Sequence, residues 1–352
     1  MAGRAKKRTG PVGRVVLRFG EEKGRKALSN FSAGTRVGDS VFLAADEHAD
    51  IDRLTIGEGG CAGPARFALA DLLPLAEPEE EADLEGLAED EGWLWVLGSH
   101  ARTRAKPEKA EGERVDLDVL ADLKDTRPRC LLARLPLVRD GGGWAPVKAD
   151  DAGRRAGMLH QGKKGNAIAK ALARDPLLEP FTRVPAKEGG VDVEGIAVCG
   201  ERVALGMRGP VIATHALIVE VRIEAKKSGK LKLAGEPVLR LLAMEGLGVR
   251  DLKRLGSDLL ILAGPTTGLD GPCALYRWRG WADDPPQDAR SVRLHRPERL
   301  FDIPVGRGCD HPEGLALWDD ETRVLVIYDS PSPDRLDMAA RTVVADLFDL
   351  PN

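Results

Sequence analysis

Three glutamates, Glu85, Glu194 and Glu313, each open the same short phrase, Glu-Gly-(Leu/Ile)-Ala. Carboxylates repeated in one context can hold a cation, share a proton or perform acid–base chemistry, provided the fold brings them together. Their surroundings are rich in groups suited to a site. Asp310 and His311 precede the third glutamate, Ser99 and His100 follow the second half of the first copy, and Arg208 does so in the next. Arg250 and Asp251, Asp46 and Glu47, and Asp329 with Ser330 stand at comparable places in related segments. An oxygen-rich ring suits a hard cation such as Ca²⁺, with Mg²⁺ and Mn²⁺ as alternatives. Arginine and histidine beside it suit a small anionic or phosphorylated ligand, with phosphate held by Arg208, Arg250 and a metal. The plainer alternative is that each glutamate accepts hydrogen bonds from backbone amides of a neighbouring segment, and its glycine permits a close backbone approach.

The elements that must position these groups are β-hairpins. In each copy an apolar run (Glu85 to Ala88, Glu194 to Val198, Glu313 to Leu317) leads through a polar turn to a second run (Trp93 to Leu97, Val203 to Met207, Val324 to Tyr328). Two weaker copies, Phe31 to Asp46 and Val249 to Pro265, keep the hairpin and lose the glutamate, with Ser32 and either Arg250 or Asp251 in its place. Starts near positions 30, 83, 192, 249 and 311 lie about 53, 109, 57 and 62 residues apart, a period that points to propeller blades. The expectation is an all-β chain forming a single β-propeller of five blades, with six as the alternative if residues 129 to 185 hide an irregular one. The first strand of each blade lines the central channel, so the glutamates would face one axis. Blade one is read as FSAGTR, VFLAAD, IDRLTI and ARFALADL; blade four as VRDLKRL, DLLILAG, CALYRWRG and SVRLHR; blade five as PEGLALW, RVLVIYD and TVVADLF, completed by the N-terminal strand GRVVLRF (13–19), which closes the ring and hides both edges. Residues 1–11 are a flexible basic start, and 12–352 one domain. Ile168, Ala171 and Leu172 at helical spacing, with Pro176 as a stop, mark a helical insertion at about 153–178, its helix near 155–175. Lys163 and Lys164 stand before it as a basic lid on the channel or as an ordinary solvated helix start.

Composition narrows the function classes. A net charge of −4 with 31% charged residues supplies no global drive toward nucleic acid or an anionic membrane, and 4% aromatics argue against a base-stacking platform. Five widely spaced cysteines with no CxxC pairing suggest reduced, buried thiols rather than a disulfide framework or a zinc site. The apolar run after the basic start is too short for a signal-peptide core, so the expected location is the cytoplasm. P-loop, GxGxxG, HExxH and GxSxG motifs are absent. No amphipathic segment announces an oligomer interface.

The phrases EADLEGLA, WVLGSHARTR, DVEGIAV, GMRGPV, VRDL and DHPEGLAL, in this order, resemble the bacterial family called domain of unknown function 3616, from about Phe31 to Ser330. That family is similar in its Glu-Gly-Leu-Ala blades to esterase-like phytase propellers and, more loosely, to five-bladed calcium-activated nucleotidases. The resemblance implies a propeller with an axial site on Glu85, Glu194 and Glu313. Two function classes follow. One is a metal-dependent phosphoric-ester hydrolase, with the three glutamates as Ca²⁺ ligands, Arg208 and Arg250 on phosphate, and His100 or His311 transferring the proton. Ser99, Asp46, Asp251 and Asp329 would line its ligand site. The other is a non-catalytic propeller that binds a small anionic ligand or a protein partner around a structural channel cation.

Overall fold

The structure is a computed structural model that describes residues 10–20, 24–45, 49–104, 115–124, 126–285 and 291–351. Five antiparallel units follow one another along the chain. Unit one comprises Phe31–Val37, Ser40–Ala45, Asp50–Gly57 and Gly60–Ala68. Unit two comprises Leu84–Asp90, Trp93–Gly98 and Leu132–Asp140, edged by Gly157–Met158. Unit three contains Asp192–Cys199, Arg202–Gly209, His215–Ala225 and Leu231–Ala243, and unit four Gly248–Leu255, Asp258–Gly264, Cys273–Trp278 and Glu298–Ile303. Unit five contains His311–Trp318, Arg323–Asp329 and Thr342–Asp349, and the last of these pairs with Gly13–Arg18 in register Gly13↔Leu347 to Arg18↔Thr342. First strands of consecutive units lie side by side, and that of unit five lies beside that of unit one. The sheets are curled and nearly closed, a propeller-like all-β fold.

Packing between first strands explains the glycine of the repeated phrase. A Cβ on Gly195 would stand 2.9 Å from the backbone nitrogen of Leu252 in unit four, one on Gly314 3.1 Å from the nitrogen of Gly34 in unit one, and one on Gly86 2.8 Å from Ile196 in unit three. Apolar clusters fill the wedges on either side of these strands, for example Val193, Ile196, Leu205 and Leu97 between units two and three. Gly195→Ala therefore forces a methyl against main chain that has no rotamer to change. The expected cost is about 1–3 kcal/mol, read as a lower urea midpoint. An unchanged midpoint would show that the first strands separate freely.

The glutamates sit at a second shared feature. In all five hairpins the first strand slips register beside its neighbour, and the slip skips one residue: Ser32, Glu85, Glu194, Arg250 and Glu313. A bulged residue leaves the ladder, and its side chain is re-aimed. This fixes Arg250, not Asp251, as the residue equivalent to the glutamates.

Three local expectations change. The fourth strand of unit four is Glu298–Ile303, whereas the SVRLHR segment places Leu294–His295 parallel to Leu241–Leu242 of unit three. That segment alternates well, yet the edge it meets belongs to the preceding unit. The insertion is helical only over Ala167–Leu172, followed by a 3₁₀ turn at Glu179–Arg183, and its early part supplies the Gly157–Met158 edge strand. Leu69–Leu72, read with the last strand of blade one, is a helical turn. Residues 1–9 of the basic start lie outside the described residues. Among the described residues no helix is long and apolar enough to cross a membrane, and the five cysteines are free.

Candidate axial site

Two arginines organise the residues that leave the ladder. Glu194 is buried, with Oε1 2.7 Å from Arg208 Nη1 and Oε2 3.0 Å from Arg250 Nε. Arg250 reaches on to Glu313, and Arg208 to Asp192. Arg250 comes from the first strand of unit four, and Arg208 from the end of the second strand of unit three. The pairs are thus carboxylates of units three and five clamped by guanidiniums of units three and four. Such pairs, desolvated and partly bidentate, are strong and orientation-specific.

Glu85 is the exception. Among the described residues it makes no hydrogen bond and no ion pair within 4.0 Å, although it joins the same charge cluster. Burial pushes its pKa well up, reinforced by Glu194, Asp83 and Asp192 and opposed by Arg208. Asp192 is raised to about 7 by burial, with Glu194 and Asp83 adding to the rise and Arg208 resisting it. Arg208 is held protonated by the carboxylates around it. Its Nε is buried and donates to nothing among the described residues. Native structures rarely leave such a donor empty without a water or ligand in reach.

Asp83 extends the cluster toward unit two: it accepts from the Ser99 hydroxyl and pairs with Arg129. The Ser99 carbonyl in turn accepts from Val193 N at 2.9 Å, tying units two and three beside the glutamates. Farther along the axis, Lys253 Nζ lies 2.7 and 2.6 Å from the two oxygens of Asp251 and donates to the Leu87 carbonyl at 3.1 Å. Asp251 also accepts from Leu315 N at 2.7 Å. One buried ion pair therefore joins the first strands of units two, four and five across the axis. Beyond it a cavity of about 730 Å³ takes wall residues from all five first strands or the turns that follow them, among them Thr35, Glu89, Ile196, Arg254 and Leu317.

The expected site residues divide accordingly. Glu85, Glu194, Glu313, Arg208 and Arg250 come together. Asp251 serves the ion pair across the axis, where burial lifts it to about 6 against the pull of Lys253. Ser99 holds Asp83. His100 turns toward the helical insertion: Nδ1 donates to the Gly98 carbonyl at 2.8 Å and Nε2 accepts from Asn166 Nδ2 at 2.9 Å. Burial lowers its pKa to about 4, so the ring is neutral with both nitrogens engaged. His311 lies between Asp329 at 3.7 Å and Asp270 at 3.1 Å, and these two carboxylates, Asp329 foremost, raise its pKa. Asp46 and Glu47 lie outside the described residues. The sequence reading missed Asp83, Asp192 and Lys253. The first two carry a visible signal, since the phrase is Asp-x-Glu-Gly in its first two full copies.

The donor set answers poorly to the cation expectation. Both oxygens of Glu194 and one of Glu313 face guanidinium nitrogens, and among the described residues no group of three or more His, Cys, Asp or Glu is placed to hold a metal ion. Ca²⁺ would have to displace two arginines from carboxylates they already neutralise.

The family whose sequence pattern matches is described as Protein of unknown function (DUF3616), and the match spans residues 30–346. The chain belongs to this family. No curated protein matches the DUF3616 chain significantly. Among solved structures it is similar to Myxococcus xanthus glutaminyl cyclase, at 12% identity and TM-score 0.40, covering 97% of this chain and all of that one. It is also similar to an exo-β-1,3-galactanase from Phanerochaete chrysosporium, at 8% identity and TM-score 0.42 over 96% of this chain and 64% of that one. A third is the aldose sugar dehydrogenase from Streptomyces coelicolor, at 11% identity and TM-score 0.36 over 96% and 99%. At these values the likenesses say nothing about the chemistry of the DUF3616 chain.

Proposed function

We propose that the chain is a five-bladed propeller, its ring closed by the pairing of Gly13–Arg18 with Thr342–Leu347, and that its axis carries a hydrolytic site for esters of an anionic small molecule, phosphoric esters foremost. The supporting observation is the contrast between Glu85 and its equivalents: Glu194 and Glu313 are ion-paired with Arg208 and Arg250, while Glu85 has no ion-pair partner among the described residues and its pKa is pushed up. A carboxyl whose pKa is raised by burial, beside fixed positive charge, is suited to general acid catalysis. In this reading the open Nε of Arg208 receives an oxygen of the substrate's anionic group. Asp192, raised to about 7, takes a proton from water as it attacks phosphorus. The bond from phosphorus to the leaving oxygen breaks, and Glu85 delivers its proton to that oxygen. The two arginines supply the positive charge for which the sequence suggested a cation, so no step passes through a metal. Cytoplasmic work with a soluble phosphorylated substrate fits this reading.

Turnover of p-nitrophenyl phosphate and bis-p-nitrophenyl phosphate, in EDTA and across pH, tests it. Glu85→Gln is expected to lower kcat about 10²–10⁴-fold while leaving the melting temperature at or above that of the parent, because a poorly solvated carboxyl is replaced by a neutral amide. Parent activity is expected to fall as pH rises through the pKa of Glu85, since only the protonated acid is competent. Absence of turnover in the parent, or equal turnover in the variant, would leave the axis as a recognition site for an anion or a protein partner.

A further inference from the structure

Beside the axial cluster, between the helical insertion and the loops of unit two, lies a cavity of about 640 Å³. Its walls include Arg102, Lys163, Lys164, Lys170 and Arg174, and no Asp or Glu is among its described lining residues. Lys163, Lys164, Lys170 and Arg174 form no ion pair among the described residues, and Arg102 uses only Nε, which donates to the Thr182 carbonyl at 2.7 Å. Most other arginines of the described chain face a carboxylate, for example Arg53 with Asp140, Arg202 with Glu220 and Arg277 with Asp258. Five cations converging on one concavity, in a chain of net charge −4, repel one another and raise the local concentration of anions.

The cavity is built rather than incidental. Gly162 and Gly165 exchange backbone hydrogen bonds at 3.1 and 2.9 Å, and the tight turn presents Lys163 and Lys164 at its tip. Gly165 has φ +74°, and a Cβ there would lie 2.8 Å from Cys130 Sγ, so the turn is seated on the floor of the cavity. Asn166 then caps the helix through Ala169 N at 3.0 Å while its Nδ2 donates to His100 Nε2 and, at 3.0 Å, to the Cys130 carbonyl. Ile168 and Leu172 are buried beneath, leaving Lys170 outward on the same short helix. The insertion thus fixes the backbone that carries these cations before any ligand arrives, which lowers the ordering cost of binding.

We propose that this cavity binds a small molecule carrying two or more phosphate-type charges. Its volume lies within the ordinary range for small-molecule sites, about 300–1,000 Å³. Five cations around one cavity favour a pyrophosphate or a bis-phosphorylated compound over a single phosphate, which carries too little charge to balance them. The proposal stands apart from the axial reading, since none of its cations belongs to the axial cluster.

Calorimetric titration of the full chain with inorganic pyrophosphate and with inorganic phosphate, at two salt concentrations, tests it. Pyrophosphate is expected to bind at least tenfold more tightly than phosphate, and more weakly at the higher salt. Lys163→Glu/Lys164→Glu is expected to weaken pyrophosphate at least tenfold, whereas Lys226→Glu/Lys227→Glu, the same charge change on a distant hairpin, is expected to leave it unaltered. These lysines are exposed, so neither double variant should lower the melting temperature. No heat with millimolar pyrophosphate, or equal weakening in both double variants, overturns the proposal. So does weakening by Arg208→Met instead of the lysine changes, which would move the anion to the axis.

Discussion

Lys253→Met is expected to lower the free energy of unfolding by about 3–5 kcal/mol at neutral pH, the range for removing one partner of a buried ion pair. Both partners are almost wholly buried, Lys253 at 4% and Asp251 at 0% exposure. The ammonium satisfies both carboxylate oxygens and the Leu87 carbonyl, so its removal leaves a charge and an acceptor unmet. Asp251, lifted by burial to about 6 with Lys253 in place, would go higher without it. A carboxyl whose folded pKa exceeds its unfolded value contributes stability below the unfolded value and loses it as pH rises through the folded one. The deficit should therefore be smaller at pH 5 than at pH 8 in urea titrations. Adding Asp251→Asn, which keeps an acceptor for Leu315 N and removes the charge, should restore more than half of the loss. An equal deficit at both pH values, with no recovery in the double variant, would show that the ion pair does not hold the strands.

Arg250→Met attacks the other centre. It removes the only ion-pair partner of Glu313 among the described residues and one of the two partners of Glu194. The expected loss is again about 3–5 kcal/mol near neutral pH, because carboxylates of the cluster are left without their counter-charge. The two variants separate in chemistry. Arg250→Met should also lower any turnover at the axis, since the guanidinium that bridges Glu194 and Glu313 is lost from the cluster around Glu85, whereas the lysine change lies beyond that cluster. Urea midpoints at pH 5 and pH 8, with kcat under each condition, distinguish them. A midpoint unchanged by Arg250→Met would mean that solvent, not Arg250, compensates these carboxylates.

The architecture was legible because hairpin repetition is a short-range property: alternating runs and turn residues announce each pair of strands wherever they lie. The equivalence of Glu85, Glu194 and Glu313 followed from the same repetition. What the repeats could not reveal was the charge balance. That Arg250 occupies the glutamate position, and that Arg208 leans in from a second strand, depends on register slips that no composition reports. The same holds for His100, whose spacing after a strand suggested proton transfer while its partners, Gly98 and Asn166, fix it as a neutral strut. Asn166 is 66 residues away in sequence, so only the folded insertion reveals it. The misassigned edge at Leu294–His295 has a similar origin, for a short alternating run does not say which neighbouring sheet it will join.

The ion pair of Lys253 and Asp251 also acts as a partition. With the Leu87 carbonyl and Leu315 N drawn onto it from units two and five, it stands between the Glu194 cluster and the cavity of about 730 Å³ beyond. A solute lodged in that cavity meets an ammonium and a carboxylate already bonded to each other, so its arrival leaves the glutamates untouched.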